Sequence, residues 1–104
     1  MNQPALPATF FARDAEIVAE DLLGTIILRD GLRARIVETE AYLGPHDLAC
    51  HTAKGRTKRN EVMFGPPGVA YVYFIYGMYD MLNFVTGDQS GQAVLIRAAE
   101  PLEE

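Results

Sequence analysis

Thr25-Ile-Ile-Leu-Arg-Asp-Gly-Leu-Arg-Ala-Arg-Ile-Val-Glu-Thr-Glu-Ala-Tyr42 is the stretch whose reading decides the fold. Thr25 to Arg29 is a short β-branched run. Asp30-Gly31 is a dipeptide favoured in two-residue hairpin loops, and Leu32 to Tyr42 reads as the returning strand. An antiparallel hairpin therefore starts a sheet. Alternation along its second arm points Glu38, Glu40 and Tyr42 to one side, where the strand breaks into Leu43-Gly-Pro45. Carboxylates stand on an apolar strand when they are solvated, paired or used. A merely wet strand face explains the pair taken alone, so the rest of the chain has to decide.

Upstream, Asp14 is placed to cap a helix over 15–23. Ile17, Val18 and Leu22 form its apolar stripe, acids lie in its first turn, and Gly24 is its stop. Ala5 to Phe11 reads as a lead-in. Downstream, His46 to Glu61 is polar and reads as an exposed loop with one short helical turn near Asp47 to His51. Gly65-Pro-Pro-Gly68 breaks the chain, and Val69 to Tyr76 is a dense β-branched and aromatic strand. Gly77 to Asp80 turns, Met81 to Thr86 is a strand, Gly87 to Gly91 turns again, and Ala93 to Ala98 is the last strand. One helix followed by five strands makes an α+β domain on a curved, mainly antiparallel sheet with few helices. A single domain over 1–104 is expected, with one helix as thin cover for five strands, so that part of a larger domain or a partner is expected to supply the rest.

Composition narrows the class. Hydrophobic residues make up 49% and charged residues 22%, which is ordinary for a globular chain able to bury a core. The one cysteine, Cys50, excludes an internal disulfide and fits a reducing cytoplasm. His46 and His51 are the only histidines, and neither falls in a metal-ligand spacing, so no metal is expected, and nothing in the sequence calls for another cofactor. Neither a signal peptide nor a membrane-length apolar run is present in the sequence, so no membrane partner is expected. On these grounds the chain is expected to be soluble and intracellular, with a reducing cytoplasm the fitting compartment.

The net charge of −5 argues against nucleic acid, but its distribution does not. Lys54, Arg56, Lys58 and Arg59 lie within one acid-free stretch, while acids gather at 14–21 and at the tail. Such a loop either solubilises the chain or docks a phosphate backbone with strong salt dependence. Tyr71 and Tyr73 share a strand face, and Tyr76 points to the other beside Gly77. Strand tyrosines are ordinarily core residues with a bonded hydroxyl; as a group they are also the rings that stack on bases. Asn83 sits among apolar neighbours and requires a partner. Arg97, in Val94-Leu-Ile-Arg97, calls for a carboxylate, and Glu38 and Glu40 are the candidates. His51 reads as an ordinary surface histidine from its own surroundings.

At these residues the chain resembles a known family. Ala34-Arg-Ile-Val-Glu-Thr-Glu-Ala-Tyr-Leu-Gly-Pro45, His51, Arg59-Asn60 with Met63-Phe64, Pro67-Gly68, Tyr71-Val-Tyr-Phe-Ile-Tyr-Gly-Met-Tyr79, Asn83 and Val94-Leu-Ile-Arg-Ala-Ala-Glu-Pro-Leu102 are similar, in order and spacing, to the alkyladenine (3-methyladenine) DNA glycosylases of base-excision repair. The resemblance runs from about Phe10 to the end. It implies a monofunctional glycosylase acting on double-stranded DNA that holds a damaged purine, alkylated or deaminated, without metal or lysine Schiff base. Glu40 would activate a water against C1′, and Arg97 would help hold that water and a nearby phosphate. Tyr42, His51 and Tyr73 would line the pocket for the flipped base, Tyr76 would intercalate from the minor groove, and Asn83 would exclude guanine. Lys54, Arg56, Lys58 and Arg59 would lie near the DNA backbone.

Length is the departure: family members continue past Glu100-Pro-Leu102, and the expectation is an N-terminal portion that lacks the family's C-terminal part, which the resemblance implies would pack on the sheet and add DNA contacts. The alternatives are a non-catalytic DNA-binding fragment and a small carbohydrate hydrolase. For the latter, Glu38 and Glu40 stand roughly 6.5–7 Å apart along the strand, a compatible separation.

Overall fold

Two antiparallel hairpins are joined through the last strand. The computed structural model describes residues 6–45, 61–75 and 79–102, and excludes the side chains of 73–75 and 79–81. Strands β1 (Ile26–Arg29), β2 (Leu32–Tyr42), β3 (Ala70–Ile75), β4 (Tyr79–Thr86) and β5 (Gln92–Leu102) form one sheet in the order β1-β2-β5-β4-β3, every pair antiparallel. The fold is α+β, with a curled five-stranded sheet as expected. β1 and β2 meet through Asp30 (φ 51°) and Gly31 (φ 80°), both left-handed, the geometry that matches the strand twist in a two-residue loop.

Several boundaries differ from the sequence reading. β4 begins at Tyr79 rather than Met81, because residues 79 and 80 pair with Ile75 and Phe74 across the hairpin. β5 runs to Leu102 rather than Ala98, because β2 provides a partner along its whole length. The lead-in contains a helical turn, α1 (Ala8–Phe11), and a 3-10 turn, Glu61–Phe64, ends the passage expected to be loop. The helical turn expected near Asp47 to His51 lies outside the described residues.

Helix α2 (Ala15–Leu22) lies on one face of the sheet. Its buried stripe is Ala15, Val18, Ala19 and Leu22, packed with Phe11, Ile36 and Val94. Ile17, assigned to that stripe from the sequence, is 48% exposed. Small Ala15 and Ala19 allow close approach to the strands, which turns the contact face away from Ile17. Thr39 Oγ1 donates to the Ala19 carbonyl at 2.8 Å, tying the sheet to the helix.

Asp14 is the N-cap residue, yet its side chain makes no cap hydrogen bond. Gln92 does that work from the far end of the chain. Its Oε1 accepts from the Ala15 N–H at 2.8 Å, while its Nε2 donates to Ser90 Oγ at 2.8 Å. Ala15 is fully buried, so no solvent replaces this acceptor. Gln92→Ala is expected to cost about 1–2 kcal/mol, seen as a lowered thermal midpoint. Asp14→Ala is expected to cost less, and an equal loss from both in the same melt would contradict the assignment.

Candidate functional site

The opposite face carries the charged cluster. Alternation alone would put Ile36 on the same side as Glu38, Glu40 and Tyr42. Two bulges prevent this. The β2–β5 register passes from Thr39↔Ile96 to Glu38↔Ala98, leaving Arg97 as an extra residue in β5. It then passes to Ile36↔Ala99, leaving Val37 extra in β2. The two offsets cancel, and beyond them Arg35 again meets Glu100 in the original register. Ile36 thus joins the helix-side core while the acids stay on the other face.

Glu40 has a partner on each oxygen. The Tyr42 hydroxyl donates to Oε1 at 2.7 Å, and an Arg97 terminal guanidinium nitrogen donates to Oε2 at 3.4 Å. The Arg97 Nε lies 4.0 Å from Glu38 Oε1. Both carboxylates named from the sequence as partners of Arg97 therefore face it. The Glu40 side chain remains 41% exposed, so solvent reaches an anchored carboxylate.

Tyr42, itself 9% exposed, packs with Met63, Ala93 and Leu95 in a second buried cluster that Val62 and Tyr71 flank. The 3-10 turn supplies Met63, which is fully buried. Sequence reading missed that residue as part of this cluster; its signal was the apolar Val62-Met63-Phe64 run at the end of a polar passage.

Asn83 is fully buried and shares a cross-sheet row with Glu40: Tyr71 faces Asn83, Asn83 faces Leu95, and Leu95 faces Glu40. Paired residues share a face, so Asn83 stands two strands from the carboxylate, about 9–10 Å along the hydrogen-bonding direction. Beyond the Asn83–Leu95 pair, β4 and β5 part, and β3 and β4 continue as a two-stranded arm. Tyr73 lies in this arm with its backbone opposite Met81, and its side chain is outside the description. Tyr76, His51, Lys54, Arg56, Lys58 and Arg59 lie outside the described residues. The structure thus brings Glu40, Tyr42, Arg97 and Asn83 to one face. Among the described residues no group of three His, Cys, Asp or Glu side chains could hold a metal ion, and no helix is long and apolar enough to cross a membrane.

Residues 9–104 match the family described as Methylpurine-DNA glycosylase. The chain is 59% identical over 103 residues to a protein of Myxococcus xanthus, a match covering 94% of this chain and 53% of that protein. It is 58% identical over 103 residues to one of Legionella pneumophila strain Lens, covering 94% and 56% respectively. With one of Methanocella arvoryzae it shares 56% identity over 105 residues, covering 96% and 52%. Each of the three is named provisionally as a 3-methyladenine DNA glycosylase. The chain spans about half the length of the curated relatives it matches.

Proposed function

The chain belongs to the methylpurine-DNA glycosylase family, and from that premise we propose that it serves excision of alkylated or deaminated purines from double-stranded DNA, with Glu40 as general base. The observation that carries this reading is the Glu40 carboxylate itself, anchored by Tyr42 on one oxygen, faced by Arg97 on the other, and open to solvent.

The chemistry follows from those groups. A water beside Glu40 gives a proton to the carboxylate as its oxygen bonds to C1′ of the nucleotide. The C1′–N bond breaks, and its electron pair leaves with the purine. Positive charge gathers on the sugar on the way, and a nearby carboxylate stabilises it. A purine alkylated on a ring nitrogen is cationic and leaves readily, so one general base suffices. The same cation is attracted to an electron-rich ring such as that of Tyr42. A deaminated purine is neutral and asks more of the pocket. The base must leave the duplex stack to reach this face. The proposal gives Tyr42, His51 and Tyr73 the flipped base, Tyr76 the gap it leaves, Asn83 the rejection of guanine, and Lys54, Arg56, Lys58 and Arg59 the backbone.

The test is incubation of the purified chain with a duplex carrying one hypoxanthine or one methylated purine. Free base and an alkali-labile abasic site are expected, with no strand break before alkali. Release of neither base from a folded protein contradicts the reading. A second reading, a unit that binds lesion DNA without releasing a base, draws on the chain's spanning about half the length of its relatives. Binding without release in the same assay selects it.

A further inference from the structure

We infer that Glu38 is a positioning residue, which holds the Arg97 guanidinium so that it faces Glu40 along one edge only and leaves a carboxylate oxygen of Glu40 accessible to water. The inference rests on the reading of Glu40 as the base. In an unbroken β2–β5 ladder Glu38 would lie directly opposite Arg97, since Thr39 faces Ile96. That would be a simple cross-strand ion pair. The bulge at Arg97 moves Ala98 into that position and shifts Arg97 towards Glu40. The guanidinium then straddles two carboxylates of one strand, with Nε 4.0 Å from Glu38 and a terminal nitrogen 3.4 Å from Glu40.

Both contacts are long and all three side chains are substantially exposed, at 60% for Glu38, 56% for Arg97 and 41% for Glu40. Neither contact alone holds a flexible arginine in one orientation. Two acceptors on different edges of a rigid planar fork restrict it far more. With Glu38 neutralised, Arg97 has one carboxylate left, and the favoured geometry of that pair is bidentate. Closing both guanidinium nitrogens on Glu40 takes up the acceptor lone pair that Tyr42 and the single Arg97 contact leave open to water. Glu38 therefore acts through Arg97, without touching the reacting atoms.

Two measurements test this on the whole chain. In nitrogen-15 spectra the Arg97 Nε–Hε resonance, identified by its loss in Arg97→Lys, is expected to move in Glu38→Gln and to move less in Glu40→Gln. An Arg97 signal unmoved by Glu38→Gln overturns the inference whether or not the chain releases a base. In single-turnover base release, Glu38→Gln is expected to slow the reaction on the order of 10- to 100-fold, with DNA affinity held or raised, the thermal midpoint unchanged and partial recovery in Glu38→Asp. A normal rate in Glu38→Gln overturns the inference while leaving Glu40 as base. A normal rate in Glu40→Gln overturns the parent reading instead.

Discussion

Replacing Glu40 by glutamine is expected to slow base release by about 10²- to 10⁴-fold, the range that a positioned general base supplies. The substitution isolates charge from shape. Glutamine is nearly isosteric, and its carbonyl oxygen still accepts the Tyr42 hydroxyl that now reaches Oε1 at 2.7 Å. Its amide cannot take a proton from water. Arg97 loses its anionic partner on Oε2, and because that pair is exposed the fold loses little. On the proposed function DNA affinity is expected to hold or rise, since a negative charge is removed from the face that would meet phosphates. Glu40→Asp keeps the charge but shortens the side chain by one methylene, so it gives up the short Tyr42 contact and is expected to fall between the two. Unchanged release by Glu40→Gln, measured with enzyme in excess over a single-lesion duplex, would remove Glu40 from the chemistry.

The second large effect concerns stability. Gly91→Ala is expected to cost about 2–3 kcal/mol, combining left-handed backbone strain with forced movement of the half-buried Phe64 ring. Gly91 has φ +76°, and a Cβ there would meet Phe64 Cε1 at 2.8 Å and Cζ at 3.0 Å. Phe64 ends the 3-10 turn that places Met63 against Tyr42. The substitution is therefore expected to lower the thermal midpoint and also to slow base release by loosening that packing. Gly24→Ala is the control: φ is +87°, but nothing lies within 4 Å of the added carbon. It should show the backbone strain alone, about 1–2 kcal/mol. Equal losses from the two substitutions would show that Phe64 moves aside freely.

Local signals carried much of this fold into the sequence. The β1–β2 hairpin, the bounds of β2 and the shared side of Glu40 and Tyr42 all follow from turn chemistry and period-two alternation. The pairing of Arg97 with Glu38 and Glu40 followed from the need of a strand cation for an anion. Features set by distant parts of the chain were not legible. Nothing near β5 announces that it enters between β2 and β4. Residues 36–40 read as regular alternation, although Val37 and Arg97 are extra residues defined only once the two strands are paired. Asp14 had the right chemistry for a cap, but Gln92 arrives from 77 residues away with better geometry. Short turns such as Ala8–Phe11 span a single helical period, so no recurring apolar pattern announces them. The pocket role of His51 rests on the resemblance alone, whereas Tyr76 at its strand end and the acid-free basic stretch also drew on the sequence itself.

Placing β5 between two older strands has a consequence for the newborn polypeptide. Ribosomes extend a chain at about 5–20 residues per second, so the 77 residues separating Ala15 from its acceptor Gln92 take about 4–15 s to make. Once Tyr42 has been made, and until β5 follows, β2 has β1 along one edge and lacks β5 along the other, with Ile36 waiting for Ala99. The centre of the sheet closes only after translation has passed Gln92. A chaperone that recognises unpaired apolar strands would find its target in those seconds, and substitutions that weaken β5 would lengthen the wait before they changed the finished protein.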